Sequence, residues 1–267
     1  MLVDTHCHLN FAAFEADWQQ VTDEAVKNGI ERMIVVGTDL TSSAKAVDMA
    51  QKHEALYAAV GIHPHHVKAK LDLAEIKKLA QSKKVVAVGE TGLDYHVYLK
   101  TKYPDNSVTP ELKIKQKQLF GAHLQLAKEL DLPLIIHNRE ANEEMLDTIE
   151  HFSKDDGKLP RGVFHCISGS TKLLEKILDR GFYVGVDANI TYAAEVQILA
   201  QAAPLNKILL ETDSPFLSPK ERRGLRNTPT NVRIVAEFLA QLKKVKVEEV
   251  IATTGKNAQN LFFPKND

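Results

Sequence analysis

Eight short apolar runs, rich in β-branched residues, recur along the chain and are separated by amphipathic stretches with helical periodicity. Strands that alternate with helices in this way are typical of parallel βα units, and eight such units close a barrel. We therefore predict the α/β class and a TIM (β/α)8 barrel. A doubly wound open sheet is the alternative, but no G-x-G-x-x-G motif follows the first run. The predicted strands are Leu2–Asp4, Arg32–Gly37, Leu56–Ile62, Val85–Glu90, Leu134–His137, Gly162–His165, Phe182–Val186 and Ile208–Asp213.

The chain length agrees with one barrel. It has 267 residues, and a single barrel of this kind takes about 250. No internal repeat, low-complexity tract or linker is visible, so we predict one domain that spans residues 1–267. The predicted helices are Asp17–Asn28, Ser42–His53, Leu73–Gln81, Glu111–Asp131, Glu140–Phe152, Lys172–Arg180, Tyr192–Ala203, Asn231–Leu242 and Val247–Thr254.

Charge and cysteine content narrow the class of protein. There are 34 lysine and arginine residues against 35 aspartate and glutamate residues, a net charge of −1. This balance argues against a global basic field for nucleic acid, although it leaves room for local basic patches. We expect Cys7 and Cys166 to be small buried residues rather than a disulfide framework. The first residues lack a signal-peptide pattern, and no segment approaches roughly 18 uninterrupted apolar residues, so we expect a cytoplasmic protein without membrane contact.

Ionisable side chains follow the apolar run of six predicted strands. His6 and His8 alternate in the first strand and therefore share one face, where two imidazoles make a metal chelate. The carboxyl ends of barrel strands meet at one rim, so groups distant in sequence are expected to lie together there. Burial of such groups is costly unless they have partners or a metal. The ligands predicted on this basis are His6, His8, Glu90, His137, His165 and Asp213.

These groups can hold two divalent ions if one carboxylate bridges them. One ion is assigned to His6, His8 and Asp213. The other is assigned to His137 and His165, and Glu90 is the carboxylate that bridges the two ions. Imidazole with carboxylate suits Zn²⁺, whereas Mg²⁺ and Mn²⁺ prefer more oxygen ligands, so the sequence leaves the metal open. Two ions about 4 Å apart can polarise a substrate oxygen and generate hydroxide. Asp213 would also orient the water and take its proton, which makes Asp213 and Glu90 the predicted catalytic residues.

Seven stretches carry a family resemblance: DTHCHLNF, GIHPHH, VGETGLDY, PLIIHNREA, HCISGS, ETDSPFL and RGLRNTP. In these blocks, their order and their spacing, the chain resembles the TatD-type metal-dependent hydrolases and deoxyribonucleases of the amidohydrolase superfamily over nearly its whole length. The resemblance implies a β/α barrel with divalent metal at the six residues named above. It also implies hydrolysis of phosphodiester bonds in DNA, often from the 3′ end, although other members act on aminoacyl-tRNA.

Five further residues are predicted to bind substrate. His63 and His65 end the third strand and could contact a phosphate or a leaving group, and the resemblance supports His63. Arg139 follows the fifth-strand histidine by two residues and should share its inward face, where a guanidinium suits a phosphate. Arg223 and Arg226 lie in a basic patch after the eighth strand that could follow a nucleic-acid backbone. The alternative is a structural hydrogen bond for the two histidines, a structural salt bridge for Arg139, and solvated loop charge for Arg223 and Arg226.

Departures from the family pattern leave the predicted ligands intact and bear on the substrate. The loop Asp94–Pro110 is several residues longer than usual, and Ile167 and Asp187 replace residues common in the family. We predict a divalent-metal-dependent hydrolase, a TatD-like deoxyribonuclease of the 3′–5′ exonuclease type with single-stranded DNA or 3′ ends as substrate. The alternatives are an ester, lactone or amide hydrolase such as a D-aminoacyl-tRNA deacylase, and a non-catalytic scaffold, against which the complete ligand set argues. The oligomeric state stays open, a monomer included.

Overall fold

A computed structural model describes residues 1–67, 72–98, 108–154 and 157–264. Its eight parallel strands form one sheet in the order β1 to β8. Hydrogen bonds from His8 N to Ser214 O (2.7 Å) and from Asp213 N to His6 O (2.8 Å) join the last strand to the first and close the sheet. The predicted (β/α)8 barrel is therefore confirmed. The strands are β1 (Leu2–Cys7), β2 (Ile30–Val36), β3 (Leu56–Val60), β4 (Val85–Asp94), β5 (Leu134–Arg139), β6 (Gly162–Phe164), β7 (Tyr183–Val186) and β8 (Ile208–Leu210).

Helices alternate with the strands and cover them. Successive strand residues belong to different apolar clusters: Val35 lies in the larger one, which includes most buried helix residues, whereas Ile34 and Val36 lie in a smaller one with Leu261 of the last helix. This alternation is the two-faced pattern of a barrel wall. No helix in the described ranges is both long and apolar enough to span a membrane. The helices are α1 (Trp18–Lys27), α2 (Leu40–Lys52), α3 (Leu73–Leu79), α4 (Pro110–Leu130), α5 (Asn142–Ser153), α6 (Thr171–Asp179), α7 (Ala194–Ala202), α8 (Val232–Lys243) and α9 (Val247–Phe262).

Strand β4 extends beyond its predicted end at Glu90. The segment Thr91–Asp94 pairs with residues 136–139 of β5 after a shift of register between Val88 and Thr91. The prediction ended the strand too early because a glutamate and two glycines interrupt the apolar run. As a result, Asp94 lies on the sheet and not in a loop. Of the predicted loop Asp94–Pro110, residues 99–107 lie outside the described part of the chain.

The ends of two other strands and of the last helix also differ from the prediction. Strands β6 and β8 end at Phe164 and Leu210, before the predicted ends at His165 and Asp213, because the chain then leaves the sheet to turn its ionisable side chains toward the rim. Helix α9 continues through Gly255 to Phe262, eight residues beyond the predicted end at Thr254. A glycine usually marks a helix end, but here a Cβ at Gly255 would collide with the carbonyl oxygen of Met1. The glycine is therefore a packing requirement inside the helix.

Candidate metal centre

Glu90 lies at the centre of the carboxyl rim of the barrel and contacts four of the predicted histidine ligands. Its Oε2 lies 3.5 Å from His6 Nε2 and 3.8 Å from His8 Nε2. Its other oxygen, Oε1, lies 2.8 Å from His165 Nε2 and 3.0 Å from His137 Nδ1. The carboxylate thus directs one oxygen to each histidine pair, which is the arrangement of a bridging ligand.

Asp213 completes the first side of this cluster. Its Oδ1 lies 3.3 Å from His8 Nε2 and 3.6 Å from His6 Nε2. The residue has a left-handed backbone, with φ of 53°, and its amide donates to the carbonyl of His6. We call His6, His8 and Asp213 the first half of the cluster, and His137 and His165 the second half. The structure therefore brings all six predicted ligands together.

Hydrogen bonds outside the cluster determine which nitrogen of two histidines faces into it. His8 Nδ1 lies 2.9 Å from the carbonyl oxygen of Val36, which can only accept, so Nδ1 carries the proton. His137 Nε2 lies 3.0 Å from Oδ2 of Asp94 and donates to that carboxylate. In the neutral imidazoles, His8 Nε2 and His137 Nδ1 therefore present lone pairs to the centre.

This donor set fits divalent cations. His8 Nε2 is 3.1 Å from His6 Nε2, and His137 Nδ1 is 3.1 Å from His165 Nε2. Lone pairs of imidazole and carboxylate that converge in a buried site repel one another unless positive charge lies between them. Imidazole nitrogen with carboxylate oxygen is a ligand set for Zn²⁺ and other first-row divalent ions, and the oxygens also suit Mn²⁺ and Mg²⁺.

The pKa shifts of Glu90 and His137 also indicate that the cluster favours a bound positive charge. Burial opposes the ionisation of Glu90, but the neighbouring histidines, His165 foremost, hold its pKa well below the usual value. Burial also opposes the protonation of His137, but hydrogen bonds to Asp94 and Glu90 outweigh it and raise the pKa to about 9. Burial lowers the pKa of His6 to about 4, and the charge of His165 adds to this effect. Without metal, a proton therefore occupies the second half at neutral pH.

Asp94 is a member of the site to which the sequence assigned no role. Its Oδ2 accepts hydrogen bonds from His137 Nε2 (3.0 Å) and Tyr98 Oη (2.7 Å), and lies 2.9 Å from His65 Nε2. These bonds hold its pKa below the usual value against burial. A carboxylate behind a ligand histidine orients the ring and increases its basicity. The signal was an acid four residues after Glu90, but the strand was predicted to end at Glu90.

Two more buried acids hold the strand ends in place. Asp4 accepts hydrogen bonds from the amides of His6 (3.2 Å) and Thr212 (3.0 Å) and from the Thr212 hydroxyl (2.7 Å). Glu211 accepts one from the amide of Cys166 (2.6 Å). Burial raises the pKa of Asp4 to about 7 and that of Glu211 well above its usual value. Both act on the backbone that carries the ligands.

His63 and His65 lie beside the second half. The amide of His65 donates to His63 Nδ1 at 3.1 Å, so neutral His63 carries its proton on Nε2, 3.5 Å from Glu90 Oε1. His65 Nε2 pairs with Asp94, and its side chain is 31% exposed. His63 therefore presents a donor to the centre, whereas His65 belongs to the hydrogen-bond network around Asp94.

The three predicted arginines differ in their surroundings. Arg139 donates to Tyr98 Oη at 2.9 Å, and Arg223 lies over the ring of Tyr192, 4.5 Å from its centroid. Arg226 makes a bidentate ion pair with Asp17, with N–O distances of 2.6 and 3.0 Å. It also donates to the carbonyl of Ala13. The guanidinium of Arg226 is therefore engaged within the fold, in an ion pair and not as the solvated loop charge that was the alternative to substrate binding.

The cysteines lie outside the ligand set. Cys7 is buried as expected, whereas Cys166 is only partly buried. Among the described residues, the groups of side chains that could hold a metal contain histidine and carboxylate but neither thiol. The thiol pKa of each cysteine is raised well above its usual value by burial, so neither thiolate is favoured as a ligand.

The family model described as TatD related DNase matches residues 3–263 of the chain. The chain belongs to the TatD family. The uncharacterized metal-dependent hydrolase YabD of Bacillus subtilis is 37% identical to it over 266 residues, 98% of this chain and 99% of YabD. The uncharacterized metal-dependent hydrolase YcfH of Escherichia coli K12 is 34% identical, over 98% of this chain and 95% of YcfH.

A solved structure supports the same assignment. The crystal structure of YjjV, a TatD homologue from Escherichia coli K12, aligns with a TM-score of 0.85 and 30% identity, over 98% of this chain and 97% of YjjV. The TatD family protein of Entamoeba histolytica, at 22% identity and a TM-score of 0.83, shares the fold. The chain is thus a metal-dependent hydrolase of the TatD family.

Proposed function

We propose that this TatD-family protein hydrolyses phosphodiester bonds in DNA and removes nucleotides from the 3′ end of single strands, with two divalent ions in its site. The observation that carries the proposal is the position of Glu90, which directs one oxygen to each histidine pair. A bridging carboxylate is what two ions about 4 Å apart require, and such pairs serve phosphodiester cleavage. The name of the matching family model, TatD related DNase, supports the same substrate.

The residues of the site have separate roles in the proposed hydrolysis. Two divalent ions, when bound, polarise a phosphoryl oxygen and lower the pKa of a water molecule. Asp213 orients the attacking water and accepts its proton. The neighbouring imidazoles, His8 foremost, lower the pKa of Asp213 against the effect of burial, so the carboxylate is ionised at neutral pH. His63 donates a hydrogen bond from Nε2 to a substrate oxygen and keeps its proton, because its other nitrogen accepts from the backbone.

The charge of the protein supports a short contact with the end of a strand. The net charge is −1, and a protein that binds many phosphates needs a cationic surface. Arg139 and Arg223 are the predicted phosphate contacts whose guanidiniums lie over aromatic rings rather than in ion pairs with acids among the described residues. Guanidiniums that have no acidic partner in the described part of the chain suit one or two phosphates next to the scissile bond.

The test is a time course with a single-stranded oligonucleotide labelled at its 5′ end. The protein is stripped of metal, then supplied with Mg²⁺, Mn²⁺ or Zn²⁺. We expect a ladder that shortens from the 3′ end, and its loss with EDTA. Asp213→Asn should abolish the ladder, whereas Asp147→Asn on the exposed face of α5 should leave it unchanged, with metal content measured for both. Turnover of aminoacyl-tRNA or lactones without any cleavage of DNA would contradict the proposed substrate.

A further inference from the structure

An exposed aromatic ring lies beside the first half of the metal centre. Phe216 follows Asp213 by three residues, is 50% exposed, and its ring centroid is 6.2 Å from that of His8. Phe11 stacks on His8 at 4.4 Å with nearly parallel planes, and Phe216 meets Phe11 edge to face at 6.2 Å. The two phenylalanines and the ligand histidine thus form one aromatic group at the rim, with Phe216 as its outer member.

The backbone under Phe216 is held in place by buried groups. Its amide donates to Asp213 O at 2.9 Å. Its carbonyl accepts from Asn227 Nδ2 at 2.7 Å, and the same amide group donates to Thr212 O at 2.9 Å. Asn227 is fully buried and its Oδ1 accepts from Asn231 Nδ2 at 2.7 Å. A buried amide therefore couples the position of the Phe216 backbone to the strand end that carries Asp213.

Exposure alone does not distinguish Phe216, but its position does. Leu225, on the same loop, is 68% exposed and is aliphatic. Phe216 differs because its ring contacts a ligand histidine and is presented at the edge of the metal centre. A half-exposed ring gains little hydrophobic stabilisation from its free face. That face is available to a flat apolar group that arrives with the substrate.

We propose that Phe216, backed by Phe11, is a stacking platform for a nucleobase, namely the base of a nucleotide whose phosphate lies at the metal centre. This inference rests on the proposed action on DNA and names the part of the substrate that the rim recognises. Aromatic side chains stack on bases of any sequence, because every base has a π face. Phe216 would therefore favour nucleotides with a base over abasic ones, without a preference among the four bases.

The rival explanation is that Phe216 only shields His8 from water. In that case, removal of the ring would change metal content or melting temperature. Its effect on hydrolysis would be the same whether or not the substrate carries a terminal base. The test must therefore compare substrates with and without a terminal base. It also needs a binding measurement that does not depend on turnover, so that a failure of the proposed reaction can be recognised separately.

The first arm measures hydrolysis of two single-stranded oligonucleotides that differ only at the 3′ terminus, thymidine in one and an abasic tetrahydrofuran in the other. For the unaltered protein we expect KM to be roughly 10-fold lower for the thymidine end, the scale of one base–aromatic stack. Phe216→Ala should reduce this ratio to near one, Phe216→Trp should keep it, and Leu225→Ala, the matched control, should not change it. A ratio that survives Phe216→Ala overturns the inference.

The second arm uses an oligonucleotide with 2-aminopurine at its 3′ end, whose fluorescence is quenched on stacking, and the protein with Ca²⁺ in place of a catalytic metal. Quenching should occur with the unaltered protein and with Leu225→Ala, and be lost with Phe216→Ala. Quenching without any DNA hydrolysis would contradict the proposed reaction and retain the platform. Hydrolysis without quenching, or neither, would overturn the platform. Metal content and melting temperature of each variant exclude a folding defect.

Discussion

The two halves of the metal centre are oriented by different kinds of partner. In the first half, His8 is held by the carbonyl of Val36 and by the stacked ring of Phe11. In the second half, His137 is held by the carboxylate of Asp94. Glu90 contributes one oxygen to each half. Outside the ligand set, His8 is therefore oriented by neutral groups, whereas His137 is oriented by a buried charge.

This difference predicts how the metal affinity of each half should respond to substitution and to pH. A carbonyl fixes the direction of an imidazole without adding charge, whereas a carboxylate also increases the basicity of the ring and hence its strength as a ligand. Asp94 in turn is held by Tyr98 and His65, from the segments that follow β4 and β3. We therefore expect the second half to be the more sensitive to substitution and to pH, and four experiments test this expectation.

The largest effect is expected from Glu90→Gln, because the variant removes the charge that both halves share while keeping the shape. Metal content should fall from the two ions proposed for the unaltered protein to fewer than one per chain. Hydrolysis should fall by about 10³-fold, the upper end for loss of one preorganised electrostatic group. Elemental analysis and turnover measure this. Glu175→Gln on the exposed face of α6 is the control. Retention of two ions by Glu90→Gln would contradict the bridging role.

Asp94→Asn should weaken metal binding in the second half and leave metal binding in the first half unchanged. The amide cannot supply the negative charge that holds His137, so the affinity of the second half should fall by about 10- to 100-fold, the usual cost of losing such a partner. The first half should keep its affinity. A calorimetric titration with metal resolves the binding steps of the two halves, with Asp147→Asn as the control. An equal loss in both halves would show that they are not supported separately.

The pH dependence of metal binding in the second half should follow the protonation of His137. Its folded-state pKa is raised from 6.5 to about 9, so the shift stabilises the metal-free fold fully below pH 6.5, and this contribution is lost as pH rises through 9. An ion must displace that proton. Between pH 9 and 7 the affinity of the second half should fall by up to about 10-fold per pH unit. Calorimetry in buffers of different ionisation heat should show about one proton released per ion at pH 7, and less in Asp94→Asn.

The smallest effect is expected from Arg226→Gln, which tests the support of the loop near the first half. The variant removes the pair with Asp17 and should lower the free energy of unfolding by about 0.5–1 kcal/mol, the scale of a partly exposed ion pair. Metal content of both halves and KM for DNA should change less than about twofold, because the guanidinium is already engaged within the fold. Chemical denaturation measures the first effect, with Arg222→Gln as the control. A large rise in KM would instead support the predicted role of Arg226 in substrate binding.

Much of the site could be predicted because it depends on short-range order. Apolar runs indicate the strands, and the ionisable residue that ends each run indicates the rim, because parallel strands of a closed barrel bring their carboxyl ends together. His6, Glu90 and Asp213 were found in this way. The roles of Asp94 and Arg226 could not be found, because their partners His137 and Asp17 are distant in sequence and no local pattern pairs them.

The sequence by itself determined the class of fold, the number of strands and the identity of the six candidate ligands, since each follows from the period of the apolar pattern and the residue types at its ends. Only the tertiary structure decided which imidazole nitrogen faces the centre, which carboxylate stands behind His137 and which ring borders His8. The physical reason is that tautomer, basicity and access depend on the neighbour across space. That neighbour is set by strand register and by the turns after each strand.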